Sequence, residues 1–438
     1  MGSKAVKVID VEIAKPLMAI EHLAEYKSVQ ALIRLHNVPL GYLRMDLARG
    51  HLTLSALRRN IYDKFQTLIL QHLLSDNLAA PRPEDNSIAD LLEAPHADFR
   101  GGSLPLITVA VCTRDRTGNL TLCLDSLSRL TYPSLDLLVV DNAPGSDSTE
   151  QLVRAKFPNV RYVCEPRPGL NWARNRAVHE ARGEIVAYTD DDVTVDEWWA
   201  DALAAVFAEN ADVMAVTGLV VPFELETEAQ NLFERYGGFG RGFQRKWYRV
   251  DGRSQERVAT LHAGAGKFGT GANMAYRRAL FDRIGLFDPA LDVGTVTNGG
   301  GDLDMFFRVL KEGFTLVYEP NAIVRHRHRR SYAELRTQIK NNGIGFYSYL
   351  VRSATVYPEE RFALLRFGLW WLWRWNIRRL LISFARPRRF PRDLIIAELL
   401  GSFVGLGRYP KARRSAARIG RSFDSLAPIE SVKERVTF

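Results

Sequence analysis

LPLITVAVCT (104–113), LDLLVVDNA (135–143), VRYVCEP (160–166) and EIVAYTDDD (184–192) are four apolar, β-branched segments. Between them lie NLTLCLDSLSRL (119–130), STEQLVRAKF (148–157) and LNWARNRAVHEA (170–181), which carry helical patterning. A continuous apolar run of this length suits a strand covered on both faces. Strands alternating with helices imply a parallel sheet with crossover helices. Such sheets bind ligands outside the carboxyl ends of their strands. The polar residues stand there: Thr113, Arg114 and Asp115 after the first strand, Asp141 and Asn142 after the second, and Asp190, Asp191 and Asp192 after the fourth. Neither the glycine-rich dinucleotide fingerprint nor a lysine-bearing phosphate loop follows the first strand, so a nucleotide here would be held by other means.

The three consecutive aspartates are the next clue. Bunched anions at a sheet edge repel one another unless a cation neutralises them. Mg2+ or Mn2+ takes one or two carboxylates and fills its shell with water and phosphate oxygens. The alternative is that they cap a helix starting near Val195–Trp198, which accounts for one aspartate and hardly three.

Working outward, the chain has 438 residues, 46 % hydrophobic and 25 % charged. That is ordinary globular composition; it excludes dominant disorder, a collagen-like fibre and a disulfide scaffold. Cys112, Cys123 and Cys164 are few and odd in number, and read as reduced thiols of a cytosolic protein. The start, MGSKAVKVIDVEIAKP, is interrupted by Asp10 and Glu12 and reads as no signal peptide. Arg366, Arg374, Arg378 and Glu398 break the best apolar stretches, so no membrane-spanning helix is expected.

The net charge of +9 is concentrated. Residues 361–421 hold 15 Lys+Arg against Asp393 and Glu398, a net of +13, and the rest of the chain is at −4. Trp370, Trp371, Trp373 and Trp375, half the tryptophans, lie in the same segment. Arginine interleaved with tryptophan suits an anionic membrane surface. The competing readings are an appendage that buries its tryptophans on the main domain, and nucleic acid, the least favoured. At the other end, residues 1–100 read as an accessory module with an extended start (VKVIDVEIA), helical stretches, and linkers at 79–90 and 100–103.

ITVAVCTRDRTGNLTLCLDSLSRLTYPSLDLLVVDNAP (107–144) and PGLNWARNRAVHEARGEIVAYTDDD (168–192) closely resemble the nucleotide-binding half of family 2 glycosyltransferases with the GT-A fold. GTGANMAYRRALFDRIGLFDPAL (269–291), GGGDLDMFFRVLKEG (299–313) and EPNAIVRHRHRRSY (319–332) are similar to the acceptor half, in the same order. The resemblance covers residues 104–335. It implies an α/β, Rossmann-like mostly parallel sheet with flanking helices, between the N-terminal module and a helical extension at 336–438. It further implies a metal-assisted, inverting transfer of a sugar from a nucleoside-diphosphate donor, UDP- or another NDP-sugar, to a hydroxyl of a glycan, glycolipid or metabolite.

Roles follow from that resemblance together with the chemistry. Thr113 and Arg114 match the turn that touches base and phosphates. Asp141 and Asn142 match the pair that reads the base, with Asn142 departing from the usual second acid. Arg174 suits a diphosphate; an ordinary surface ion pair is the alternative. Asp190 and Asp192 match the DxD signature: Asp192 is the first metal ligand, and Asp190 serves the ribose or a metal-bound water, with Asp191 on the donor side. His326 matches a histidine that completes metal coordination, which favours Mn2+ over Mg2+; an exposed anion-binding basic stretch is the alternative. Asn273, in the Gly269–Asn273 turn, is assigned to the donor. Asp302 aligns with the general base, although Gly301 stands where the family has an acid, and Asp304 is left for capping or for Arg308. Asn298–Gly301 is a candidate lid.

Three other readings compete. A nucleotidyltransferase wants a basic glycine-rich loop where this chain has CTRDRTGN. A non-catalytic glycan- or nucleotide-binding protein on a decayed scaffold is opposed by the intact aspartates. A processive polysaccharide synthase wants membrane helices. The expected location is cytoplasmic, peripheral on the membrane face through residues 361–421.

Overall fold

The computed structural model describes residues 5–17, 20, 23–47, 50–79, 104–250, 263–385 and 390–424. The linkers expected at 79–90 and 100–103 fall, Ala79 apart, outside the described residues, as do residues 425–438 of the expected extension.

The larger sheet contains β4 (Ile107–Thr113), β5 (Leu135–Asn142), β6 (Arg161–Glu165), β7 (Ile185–Asp190), β8 (Val193–Val195), β9 (Val213–Pro222), β10 (Lys246–Tyr248), β11 (Asn273–Arg277) and β12 (Thr315–His326). The order among the described residues is β10-β12-β9-β11-β7-β4-β5-β6, with β8 paired to β12. β4 pairs parallel with β5 and β7, and β5 with β6. β9 and β12 are parallel to each other, and β11 runs antiparallel between β7 and β9. The sheet is mixed and mostly parallel, as expected for residues 104–335.

Burial on both faces explains the unbroken apolar run of β4. Ile107, Val109 and Val111 enter a core with Leu120, Leu124 and Trp199, while Ala110 enters the opposite core with Ala173, Tyr188 and Phe306. The strand period of two serves both faces at once.

A separate three-stranded sheet, β1 (Val6–Glu12), β2 (Ser28–Leu35) and β3 (Val38–Asp46), packs beneath helix Leu54–Ala79. It joins the larger sheet through Leu32 against Leu219, Val221, Tyr318 and Ile323. Charge closes the same seam. Buried Arg34 donates to Asp196 Oδ2 at 2.7 Å and Oδ1 at 3.1 Å, and Arg325 pairs with both Asp196 and Asp10.

The C-terminal region is helical: Tyr332–Val356, Arg361–Trp371 continuing through Leu372–Ile377 to Arg378–Ala385, and Arg392–Asp424. Helices 332–356 and 392–424 cross with their backbones in contact. A methyl group on Gly343 would meet the Glu398 carbonyl at 2.4 Å, and one on Gly401 the Lys340 carbonyl at 2.1 Å. No helix among the described residues is long and apolar enough to cross a membrane.

Candidate active site

Strand register assembles the site. Thr113 stands opposite Asp141, and Cys112 opposite Asp190, so three strands end side by side with their acids at the same edge. β8 then turns antiparallel onto β12, placing Val193 opposite His326. That antiparallel pairing brings His326 beside the aspartate triplet from 134 residues downstream. Ligand atoms of Asp190, Asp192 and His326 all lie within 4.8 Å of one another. Helix Trp199–Glu209 begins seven residues beyond Asp192 and takes no side-chain cap, so the triplet is not spent on capping.

The electrostatics of the cluster suit a cation. Burial first, then the neighbouring charge of Asp192, push the Asp190 carboxyl up to about 7, against the pull of Arg174. Burial pushes His326 down to about 4, so its imidazole is neutral, the form that binds metals. Its Nε2 lies 3.4 Å from Asp192 Oδ1. Asp191 is held differently: Thr113 Oγ1 donates to it at 2.7 Å and Arg116 at 3.1 Å. Arg116 also lies 3.5 Å and Arg329 3.7 Å from Asp192. Acidic donors, a neutral imidazole and partly exposed arginines at the rim together fit a divalent cation with an anionic co-ligand.

The other proposed residues divide. Asp141 is buried, accepts from Tyr162 OH at 3.1 Å, and leaves one oxygen without a hydrogen-bond partner. Burial raises its carboxyl above the ordinary value. Asn142 spends its amide on backbone, donating to the Arg167 carbonyl at 2.8 Å and accepting from Gly169 N–H at 2.9 Å. Asn273 is likewise engaged: it accepts from Trp199 Nε1 and donates to the Leu219 and Ala322 carbonyls. Both amides hold the walls of the site together. Arg114 stays outside the cluster, its side chain 54 % exposed and 3.7 Å from Asp115. Arg174 is no surface ion pair. It is buried, 2.6 Å from Asp292 Oδ2, and the charges of Asp190 and Asp302 also act on it.

Asp302 and Asp304 open helix Gly301–Lys311 and face opposite ways. Asp304 is fully buried between Arg352 at 2.8 Å and Arg308 at 3.4 Å. Asp302 looks into a cleft of about 720 Å³ that also exposes Asp190, Arg174 and Asp292. Its Oδ2 accepts from Gly271 N–H at 2.9 Å and its Oδ1 from Leu303 N–H at 2.8 Å. Burial and then Asp292 raise its carboxyl, while Arg174 and the two backbone donors lower it. Gly300, at φ +96°, turns the preceding loop against helix 332–356, where a methyl group would meet the Gly345 carbonyl at 2.6 Å. The candidate lid is thus packed against a helix on one side.

Sequence reasoning missed Asp292, Arg116, Arg329 and the far wall of the cleft, where Phe346, Phe367, Trp370, Trp371 and Trp375 stand. The cluster of tryptophans was the one signal for that wall.

A family model described as glycosyl transferase family 2 matches residues 108–285. A glucosyl-dolichyl phosphate glucuronosyltransferase of Haloferax volcanii is 25 % identical over 42 % of this chain, which spans 56 % of that protein's length. A pre-mycofactocin glycosyltransferase of Mycobacterium tuberculosis is 24 % identical over 91 % of this chain and 78 % of its own length. A mannosyltransferase of Pyrobaculum calidifontis, solved with GDP-Man and Mn2+, aligns over 86 % of this chain and 88 % of its own, at 16 % identity and a TM-score of 0.41. The match places the likeness to family 2 glycosyltransferases on residues 108–285, the strands and helices that carry Asp141, Arg174 and the aspartate triplet.

Proposed function

We propose that this chain transfers a sugar, with inversion, from a nucleoside-diphosphate sugar to an acceptor hydroxyl. The observation that carries the reading is one cleft lined by both Asp190 and Asp302. The donor lies over the strand ends, with Asp141 as the acid for the base and Thr113 and Asp191 behind it. Asp190, Asp192 and His326 would hold a divalent cation. When bound, such an ion offsets the negative charge gathering on a departing diphosphate.

Asp302 takes the proton from the acceptor oxygen. That oxygen bonds to the anomeric carbon while the bond from that carbon to the diphosphate breaks, and the proton rests on the Asp302 carboxyl. A carboxylate whose proton affinity burial has raised is a better base than an exposed one. Arg174, clamped by Asp292, keeps a fixed positive charge that both Asp190 and Asp302 feel.

The C-terminal helices provide a contact with anionic membrane. Phe362 is 68 % and Trp373 55 % exposed, and Leu365 and Leu369 complete their stripe. Exposed Arg361, Arg374 and Arg378 flank it. Large apolar side chains rimmed by arginine fit a headgroup layer better than water.

Calorimetric titration with UDP, GDP and their sugars, each with Mn2+, Mg2+ or chelator, tests the donor half. Binding of one nucleotide that chelator abolishes is the expected result. No binding with any metal would overturn the reading.

A further inference from the structure

We infer that the acceptor is an amphiphile whose apolar tail lies along the aromatic wall of the cleft, with its hydroxyl at Asp302. This deepens the transfer proposed above and rests on it. The wall is continuous. Phe346 contacts Trp371 at 5.2 Å between ring centroids, Trp371 stacks on Trp375 at 5.2 Å, and Trp370 touches Phe367 at 5.7 Å and Trp371 at 6.2 Å. All five rings line the cleft that holds Asp302. Trp370 is 52 % exposed, so the wall runs from the floor of the cleft out to the open surface. There it meets the apolar stripe Phe362, Leu365, Leu369 and Trp373, with Ile396, Leu400, Phe403 and Val404 exposed on helix 392–424.

A wholly polar acceptor leaves that path unexplained. Glu398 points the same way. It lines the cleft, Trp375 Nε1 donates to it at 3.1 Å, and burial pushes it up to about 7, so its negative charge is weakened at neutral pH. Apolar rings, a partly protonated carboxyl and an exit onto an exposed apolar surface are what a hydrocarbon tail needs.

The test uses the full chain and a series of butyl, hexyl and octyl β-glucosides below their critical micelle concentrations, followed by tryptophan fluorescence. Each buried methylene contributes about 0.8 kcal/mol, so affinity should rise about fourfold per added methylene. Trp370→Ala and, separately, Phe346→Leu should flatten that dependence and leave Mn2+–nucleotide binding unchanged. Equal binding of free glucose and octyl glucoside would make the wall a sugar platform and overturn the inference. Nucleotide binding without chain-length dependence would also overturn it and leave the transferase reading standing. Chain-length dependence without nucleotide binding would uphold the site and sink the transferase.

A different observation carries a second inference. Glu234 Oε1 lies 2.8 Å from His328 Nε2, and His328 Nδ1 lies 3.1 Å from His326 Nδ1. A carboxylate only accepts, so His328 carries its proton on Nε2 and presents a lone pair at Nδ1. His326 must then donate from Nδ1, which leaves its Nε2 lone pair facing Asp192, 3.4 Å away. The geometry points to Glu234 and His328 as positioning residues that fix the metal-binding tautomer of His326. Glu234→Gln is isosteric but can donate to His328, and so reverses the chain. We expect Mn2+ affinity to fall about 10–100-fold, with 15N shifts showing His326 protonated at Nε2 and the melting temperature unchanged. Unaltered Mn2+ affinity and shifts in Glu234→Gln would overturn it.

Discussion

Two groups of aspartates crowd this domain, and they are stabilised in opposite ways. Asp304 is enclosed between Arg352 and Arg308, so its own fold supplies the counter-charge. Asp190 faces Asp192 and Asp191, and the neighbour with the largest effect on it is another carboxylate. Burial raises both carboxyls; the next influence lowers Asp304 and raises Asp190. A buried acid with built-in cations is part of the framework. One set against its own kind is held in readiness for a cation from outside.

Substitution can break this contrast. The largest effect falls on the acid between the two groups. Asp302→Asn should lower the transfer rate about 10³-fold, the scale of a lost general base, with donor affinity unchanged by calorimetry. Asp304→Ala leaves two buried arginines facing a gap, and should cost about 3 kcal/mol of stability in denaturant unfolding. Asp190→Asn should do the reverse and raise the melting temperature of metal-free protein, because it removes repulsion. If Asp190→Asn proved as destabilising as Asp304→Ala, the contrast would collapse. Adding Mn2+ at 100 times its Kd should stabilise wild type by about 2.7 kcal/mol, and Asp192→Ala should abolish that gain.

Glu398 sharpens the contrast as a third case, a carboxyl whose proton affinity burial raises. Its folded value, about 7, exceeds the ordinary 4.5, so between those two pH values the folded chain holds a proton that the unfolded chain has lost. Its contribution therefore falls as pH rises from 4.5 to 7. Glu398→Gln, neutral throughout, should become more stable relative to wild type across that window when melting is followed against pH. This is the smallest of the expected effects.

The acids at the strand ends could be read from sequence because strand period and turn chemistry are local. β4, β5 and β7 are short apolar runs, and the residue after each must lie at the carboxyl edge. His326 was also within reach, since it ends a strand. Asp292 was not: it meets Arg174 from 118 positions away, and no local pattern encodes that distance. Asn142 and Asn273 mark the converse limit. An amide can serve a ligand or a carbonyl, and only the fold shows that here it serves carbonyls. The tryptophans of the C-terminal segment were conspicuous as a group, but which of them line the cleft depends on how three helices cross.

The seam between the N-terminal sheet and the larger sheet has a consequence for how the chain is made. Arg34 waits for Asp196, 162 residues later, and Asp10 for Arg325, 315 residues later. At 5–20 residues per second, the second partner follows the first by roughly 15–60 s of synthesis. Until then Leu32 lacks the Leu219, Tyr318 and Ile323 surface that covers it. The docking face of the early sheet therefore stays uncovered until the strand Thr315–His326 has been made, while the helices of 332–424 still have to follow.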